Sequence, residues 1–300
     1  MTTDHPPPST PQSPSLGGSP RSTLSASRST VLITGCSTGI GRATAQLLAA
    51  RGWRVFATAR KLEAVADLAS DAITPLSLDV TDEASCRDAV ARVLAEGAGR
   101  MDALVNNAGY GHAGPLEEIP PQDVRAQFEV NTFAPLLLSQ LVVPAMRQQG
   151  GGRIVNVSSV VGRVAIPFLG LYSGSKFALE AMSDALRMEL APWNIHVILV
   201  EPGSVRTPFY SRISGYLART IEDTSSPYRA RAERAQRFLG GRGMFAGSPP
   251  EQVAKVIYTA LTARRPRARY LATWDSRLTM MLLALPDALR DRVFRLMLGR

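Results

Sequence analysis

The sequence predicts an α/β fold in which a parallel sheet is covered by helices on both faces. Three observations predict it. Short apolar runs alternate with helical stretches from about residue 30 to residue 273. The runs are continuous in apolar residues, as in strands buried on both sides. A glycine-rich turn sits where the first run gives way to the first helix. At 300 residues, 45% hydrophobic and 20% charged, the chain can bury one large core without metal or disulfide staples.

The elements follow in order. Val31-Leu32-Ile33 is a strand ended by Gly35, and Ile40, Ala43, Leu47 and Leu48 mark one face of a helix that stops at Gly52. Strands are expected at 54–58, 73–78, 103–105, 153–157 and 195–200, with helices at 62–70, 82–96, 122–148 and 174–191 between them. The crossovers joining parallel strands should be right-handed. Beyond Glu201-Pro202-Gly203 the pattern loosens, and 208–248 reads as a long loop rich in Gly, Ser, Pro and Arg. Ser248 is the candidate cap of a helix running to about Ala263, and 269–273 can be a last strand. Residues 276–298 form one or two short helices broken at Pro286. The first thirty residues hold six Pro and eight Ser, so 1–29 is expected to be a disordered tail, followed by a single folded domain over 30–275 and a basic extension over 276–300.

Several function classes are excluded on composition. Two cysteines, Cys36 and Cys86, cannot build a disulfide scaffold, and three scattered histidines give no metal motif. No apolar run reaches the roughly 18 residues of a membrane span, and the start lacks a secretory signal, so a cytoplasmic location is expected. The net charge is +9, and nine Arg against three Asp lie between Arg264 and Arg300. No nucleic-acid-binding signature accompanies that charge, so no nucleic acid partner is expected. The apolar, Arg-bearing end of the chain can lie on a membrane surface, pack on the core or meet a second subunit.

Thr34-Gly35-Cys36-Ser37-Thr38-Gly39-Ile40-Gly41 joins the first strand to the first helix. Glycines allow a tight turn and a close backbone approach to a pyrophosphate, and a helix N-terminus offers free N–H groups to the anion. Cys36 beside that terminus is either an acidified thiol or a small side chain filling the turn. After the second strand the chain reads Thr58-Ala59-Arg60-Lys61, with no carboxylate for a ribose hydroxyl. Arg60 suits a 2′-phosphate, so NADP(H) is expected over NAD(H).

Tyr172 and Lys176 are four apart at a helix start, which sets both side chains on one face. A phenol is a poor acid or base at neutral pH, and a nearby ammonium would lower its pKa. It could then exchange a proton with a carbonyl or alcohol oxygen. Ser158-Ser159 and Asn106-Asn107-Ala108-Gly109 end two other strands, at the edge of the sheet where ligands bind.

Thr34–Gly41, Asn106–Gly109, Ser159, Tyr172-Ser173-Gly174-Ser175-Lys176 and Pro202-Gly203, in that order, resemble the short-chain dehydrogenase/reductase family over about 30–207, with weaker similarity through 249–273. The stretches 172–180 and 185–203 are more similar to its hydroxysteroid and retinol dehydrogenase branch than to the ketoacyl reductases. The resemblance implies a Rossmann-type doubly wound single domain with about seven strands in order 3-2-1-4-5-6-7. It implies Tyr172 as acid/base, Lys176 tuning it and binding the nicotinamide ribose, Ser159 orienting the substrate carbonyl, and Asn131 completing a proton relay. It implies cofactor contacts from Gly35, Ser37, Thr38, Gly39, Ile40 and Gly41, from Arg60, Asp79 and Val80, from Asn106, Ala108 and Gly109, and from Pro202, Gly203, Val205 and Thr207. Gly174 stands where many members have Ala. Homodimers or homotetramers through the helices at 122–148 and 174–191 are implied as well.

Specificity should lie in 208–248 as a lid. Phe209, Tyr216, Phe238, Leu239, Met244 and Phe245 there, with Pro167, Phe168 and Leu169, favour a lipophilic ketone, aldehyde or alcohol (steroid-, retinoid- or acyl-like). Eight arginines between 206 and 242 fit an acidic substrate equally. The alternative function is a non-catalytic NADP-binding sensor on the same fold, which would have no need of a proton donor.

Overall fold

The computed structural model describes residues 28–240 and 247–298. Seven parallel strands form one sheet in the order β3-β2-β1-β4-β5-β6-β7. In chain order the elements are β1 (Thr30–Ile33), α1 (Gly39–Ala50), β2 (Arg54–Ala59), β3 (Ile73–Ser77), α2 (Glu83–Glu96), β4 (Ala103–Asn106), α3 (Pro121–Phe128), α4 (Ala134–Gln148), β5 (Gly152–Val157), α5 (Gly170–Leu190), β6 (Ile195–Glu201), α6 (Phe209–Glu222), α7 (Arg229–Gly240), α8 (Pro250–Thr262), β7 (Arg269–Leu271), α9 (Trp274–Met281) and α10 (Asp287–Leu298).

Successive strand residues point to opposite faces, so the sheet carries two cores. Val31, Ile33, Val55 and Ala57 pack with Leu48 of α1 and with Val253, Ile257 and Leu261 of α8. Leu32, Phe56, Leu104 and Ile154 face the other way, against Val93 of α2 and Leu138, Val142 and Met146 of α4. A smaller third cluster, including Leu169, Ile213, Leu217, Ala232 and Ala235, joins α6 and α7 beside the sheet. The strand order reverses between β1 and β4, which opens a crevice at the carboxyl ends of the strands.

The sheet order and the strands match expectation; several helices do not. The stretch 62–70 forms two 3₁₀ turns, because Val65 adopts φ −132° and interrupts the helix between them. The expected helix over 122–148 is broken by a π turn at Glu129–Phe133. By length and composition 121–148 is apolar enough to cross a membrane, yet half of that window is buried. α5 begins at Gly170, which brings Tyr172 into its first turn. Ser248 does not cap α8: Pro249 holds that place, and the Ser248 carbonyl accepts from Arg206 N at 2.9 Å. Instead of one long loop, 208–248 carries α6 and α7. Met244, Phe245 and nearly all of the expected N-terminal tail lie outside the described residues.

Candidate active site

The site is built first from backbone. Gly35 has φ +72°, and a Cβ there would lie 2.8 Å from Ala108 Cα. A Cβ on Gly41 would lie 2.3 Å from the Gly35 carbonyl oxygen and 2.4 Å from Asn107 Nδ2. Only glycine at both positions lets the turn after β1 close against the segment after β4. Hydrogen bonds fix that closure. Thr34 Oγ1 accepts from the N–H groups of Asn107 and Ala108, both at 2.9 Å, and Asn107 Nδ2 donates to Thr34 O at 2.8 Å. Thr38 precedes α1 without a side-chain cap, and the first turn of α1 holds no acidic residue. Its N–H groups and positive dipole end therefore face the crevice, which suits an anion.

A cavity of about 760 Å³ runs from this turn across the strand ends. Gly35, Ser37, Thr38, Gly39 and Ile40 line it, as do Arg60, Asp79, Val80, Ala108 and Gly109. Gly41 lies behind the turn and acts through its missing side chain. Asn106 is a correction: it is buried and donates to Asn156 Oδ1 at 2.8 Å and to Pro135 O at 3.3 Å, while Asn107 lines the cavity. Asn107 was not singled out from sequence; the tandem Asn-Asn after a strand was the available signal. Hydrogen bonds from Thr81 hold the Asp79 carboxyl below its ordinary range, with a smaller contribution from the Arg60 charge. Cys36 is buried and its thiol is pushed up to about 12, so it fills the turn as an inert side chain.

The expected reacting groups share this cavity. Tyr172, Ser159 and Lys176 line it together. Ser159 caps a short turn after β5, accepts from Val161 N at 3.3 Å and donates to Pro202 O at 3.3 Å. Ser158 has a buried hydroxyl without a hydrogen-bond partner in the structure. Lys176 Nζ donates to Val157 O at 2.8 Å. Burial pushes Lys176 down to about 8, with Glu180 one turn on opposing the shift. The expected lowering of the Tyr172 phenol is not seen: burial raises it, and the hydrogen bond from Ser159 opposes that rise. Desolvation of the buried phenol is the larger influence, and the nearby Tyr210 adds to it.

Asn131 sits in the π turn and is fully buried. Its Oδ1 accepts from Tyr110 N at 3.1 Å, and its Nδ2 donates to Tyr110 O at 2.9 Å and Ser175 Oγ at 3.1 Å. A Cβ on Gly109 would lie 3.2 Å from Asn131 Oδ1 and 3.7 Å from Lys176 Nζ, so Gly109 lets these two approach. π turns of this kind recur at functional sites.

Pro202, Gly203, Val205 and Thr207 complete one wall. The start of α9 pins them: Gly203 N donates to Thr273 Oγ1 at 2.9 Å, and Ser204 N to Asp275 Oδ2 at 2.6 Å. The far end is apolar. The Phe209 ring of α6 lies 5.2 Å from the Tyr172 ring at a 57° tilt, and Phe238 of α7, Leu278 of α9, Leu282 of the following turn and Phe294 of α10 close it. The α9 and α10 helices therefore pack beside the cavity. Among the described residues no cluster of His, Cys, Asp or Glu could hold a metal.

A strand-turn-helix anion cradle at the strand ends defines a dinucleotide-binding α/β protein. The family model described as short chain dehydrogenase matches residues 29–215, and the chain belongs to that family. It is 36% identical over 268 residues to YbbO of Escherichia coli, described as an uncharacterized oxidoreductase, covering 88% of this chain and 93% of that one. It is also 36% identical over 263 residues to 17-beta-hydroxysteroid dehydrogenase type 1 of Homo sapiens, covering 82% of this chain and 78% of that one. The crystal structure of a short chain dehydrogenase from Burkholderia cenocepacia in complex with NADP superposes with a TM-score of 0.69 at 27% identity, covering 88% of this chain and 97% of that one.

Proposed function

We propose that the protein is an NADP(H)-dependent oxidoreductase that interconverts a lipophilic ketone or aldehyde and its alcohol, with Tyr172 as the general acid/base. The observation that carries this reading is one cavity lined by the glycine turn, Arg60 and the Ser159–Tyr172–Lys176 group together. The cradle left by Gly35 and Gly41 fits a pyrophosphate, and Arg60 is the charge beside it for a 2′-phosphate. NADP(H), when bound, supplies the hydride.

The chain's own groups do the rest. Ser159 and Tyr172 donate hydrogen bonds to the substrate oxygen as it gains negative charge during reduction. Tyr172 then gives up its proton. A phenol whose burial disfavours the phenolate transfers that proton readily only when a cation stabilises the product; Lys176, which lines the same cavity, would supply that cation. Lys176, pushed down to about 8 by burial, can exchange a proton with solvent, and Asn131 would complete that relay. The apolar end formed by α6, α7 and the last helices supports a lipophilic substrate over an acidic one. Exposed Phe133, Phe177 and Met188 on the helices expected to pair support a homo-oligomer. The two free, buried thiols suit a reducing cytoplasm.

The test is turnover of a carbonyl panel with NADPH and NADH, followed by nicotinamide absorbance, for the wild type and Tyr172→Phe. The substitution should lower kcat by about 10²–10⁴-fold with dinucleotide affinity intact. Undiminished turnover in Tyr172→Phe would refute the mechanism. Tight NADPH binding without any turnover would favour the sensor, and a preference for NADH would refute the role of Arg60.

A further inference from the structure

The last two helices carry the same outward stripe. On α9 it is Trp274, Arg277, Leu278 and Met281; on α10 it is Leu289, Arg292, Val293 and Leu296. Both follow i, i+3, i+4, i+7, which is one helix face, and both place Arg at i+3. Trp274 is 56% exposed, Met281 68% and Leu296 68%, whereas residues on the inner side, such as Ser276 and Phe294, are buried. A helix normally turns its apolar stripe inward; these turn one outward.

We propose that this double stripe docks the protein on an anionic lipid bilayer and sets the mouth of the active-site cavity against it. Two observations favour that occupant. First, the stripe is continuous with the cavity: Leu278 and Met281 are exposed on the surface and also line the cavity, with Leu282 and Leu285 between the two helices. An apolar molecule dissolved in a bilayer would thus meet apolar side chains leading from the surface into the cavity that holds Tyr172. Second, the charge is right. Arg277 and Arg292 make no ion pair among the described residues, while Arg290 is taken by Asp287. Asp287 and Asp291 lie about 160° around α10 from Leu289, away from the stripe. A second copy is disfavoured because a two-fold contact through this face would bring its unpaired arginines together. Cationic and aromatic groups flanking an exposed apolar stripe suit anionic lipid headgroups over a neutral surface.

The docking stands on surface residues alone; only its purpose, delivery of a lipophilic substrate, rests on the proposed function. The experiment is flotation of the full chain with vesicles of phosphatidylcholine, with and without phosphatidylglycerol. Binding should require the anionic lipid and weaken as salt rises. In a Trp53→Phe/Trp193→Phe background, emission from Trp274 should shift to the blue on binding. The variant Arg277→Glu/Leu289→Ser/Arg292→Glu/Leu296→Ser should lose at least about tenfold in vesicle affinity. Its melting temperature, and any turnover of a short water-soluble aldehyde, should be unchanged. Turnover of a vesicle-dissolved lipophilic aldehyde should fall. Absence of vesicle binding, or binding untouched by the variant, would overturn the proposal. A dimer that the same variant dissociates would assign the face to a second copy and overturn it as well. Vesicle binding with no carbonyl turnover would leave the docking standing and refute the enzymatic reading instead.

Discussion

The two ends of the cavity are built on different plans. The end around the glycine turn is backbone: β1, β2 and β4 stop at one edge, Gly35 and Gly41 let chain segments touch, and Thr34 and Asn107 bond across more than seventy residues of sequence. The end around Phe209, Phe238 and Leu282 is side chain, presented by helices that pack in a cluster of their own beside the sheet. The first plan tolerates almost no change, because a displaced strand end moves every group it carries. The second can be repacked, since its helices touch the sheet along a limited seam. A protein that holds one anion cradle and varies its ligand would divide its structure this way.

The largest effect should come from breaking each end in the same chemical manner. Leu104, in β4, and Leu217, in α6, are both fully buried. Either Leu→Ala change removes a similar volume, which typically costs about 2–5 kcal/mol. Leu104→Ala should lower the melting temperature of the whole domain. Leu217→Ala should speed hydrogen exchange in α6 and α7 and raise KM, with the sheet amides little changed. Uniform exchange in both variants would mean that the two ends unfold as one unit, and the distinction would be lost.

Next in size is the cradle. Alanine at position 41 would push its Cβ into the Gly35 carbonyl at 2.3 Å, where no flexible side chain can give way. Overpacking of this kind costs about 1–3 kcal/mol. Gly41→Ala should therefore lose most NADPH affinity in a fluorescence titration and lower the melting temperature. Retained affinity would show that the turn can open without cost.

These contrasts also explain what the sequence revealed. The strands and the glycine turn were legible because buried parallel strands need continuous apolar runs and a cradle needs glycine; the strand order followed from the family resemblance. Tyr172, Lys176 and Ser159 line one cavity. The π turn at Asn131 was not legible, since it inserts one residue into an otherwise ordinary helical pattern. Asn106 was expected in the cavity and Asn107 was overlooked, because the strand's last residue bonds within the sheet and the next one lines the cavity. The helices α6 and α7 hid as a loop because Ile213, Leu217, Ala232 and Ala235 give a sparse stripe among arginines. The phenol's shift depends on burial, which periodicity alone does not quantify.

A smaller effect should appear at the seam between the two ends. Glu201 closes β6, is fully buried, and lies 3.2 Å from Arg269 and 3.7 Å from Arg163. Burial raises its pKa, and the adjacent Glu180 raises it further; the two arginines only partly offset this. Between the ordinary value of 4.5 and the raised one, the folded protein holds a proton that the unfolded chain has released. Its stabilising contribution is therefore complete below 4.5 and is lost as pH rises toward neutrality. Glu201→Gln should flatten the fall in melting temperature between about pH 5 and pH 7.5. A variant more damaging at the higher pH would show instead that an ionised Glu201 anchors Arg269.

The smallest change sharpens the comparison by stabilising one end. Gly215 lies in α6, is exposed, and a Cβ built on it meets nothing within 4 Å. Glycine inside a helix costs about 0.5–1 kcal/mol relative to alanine, mostly through the freedom it gives the unfolded chain. If α6 and α7 open separately from the sheet, Gly215→Ala should slow exchange of their amides by about two- to fivefold. The sheet amides should not respond, because the opening that exposes them does not require α6 to form or break first. A single cooperative domain would spread the gain over every slow amide and raise the global melting temperature. Hydrogen exchange followed by mass spectrometry, read helix by helix, separates these outcomes.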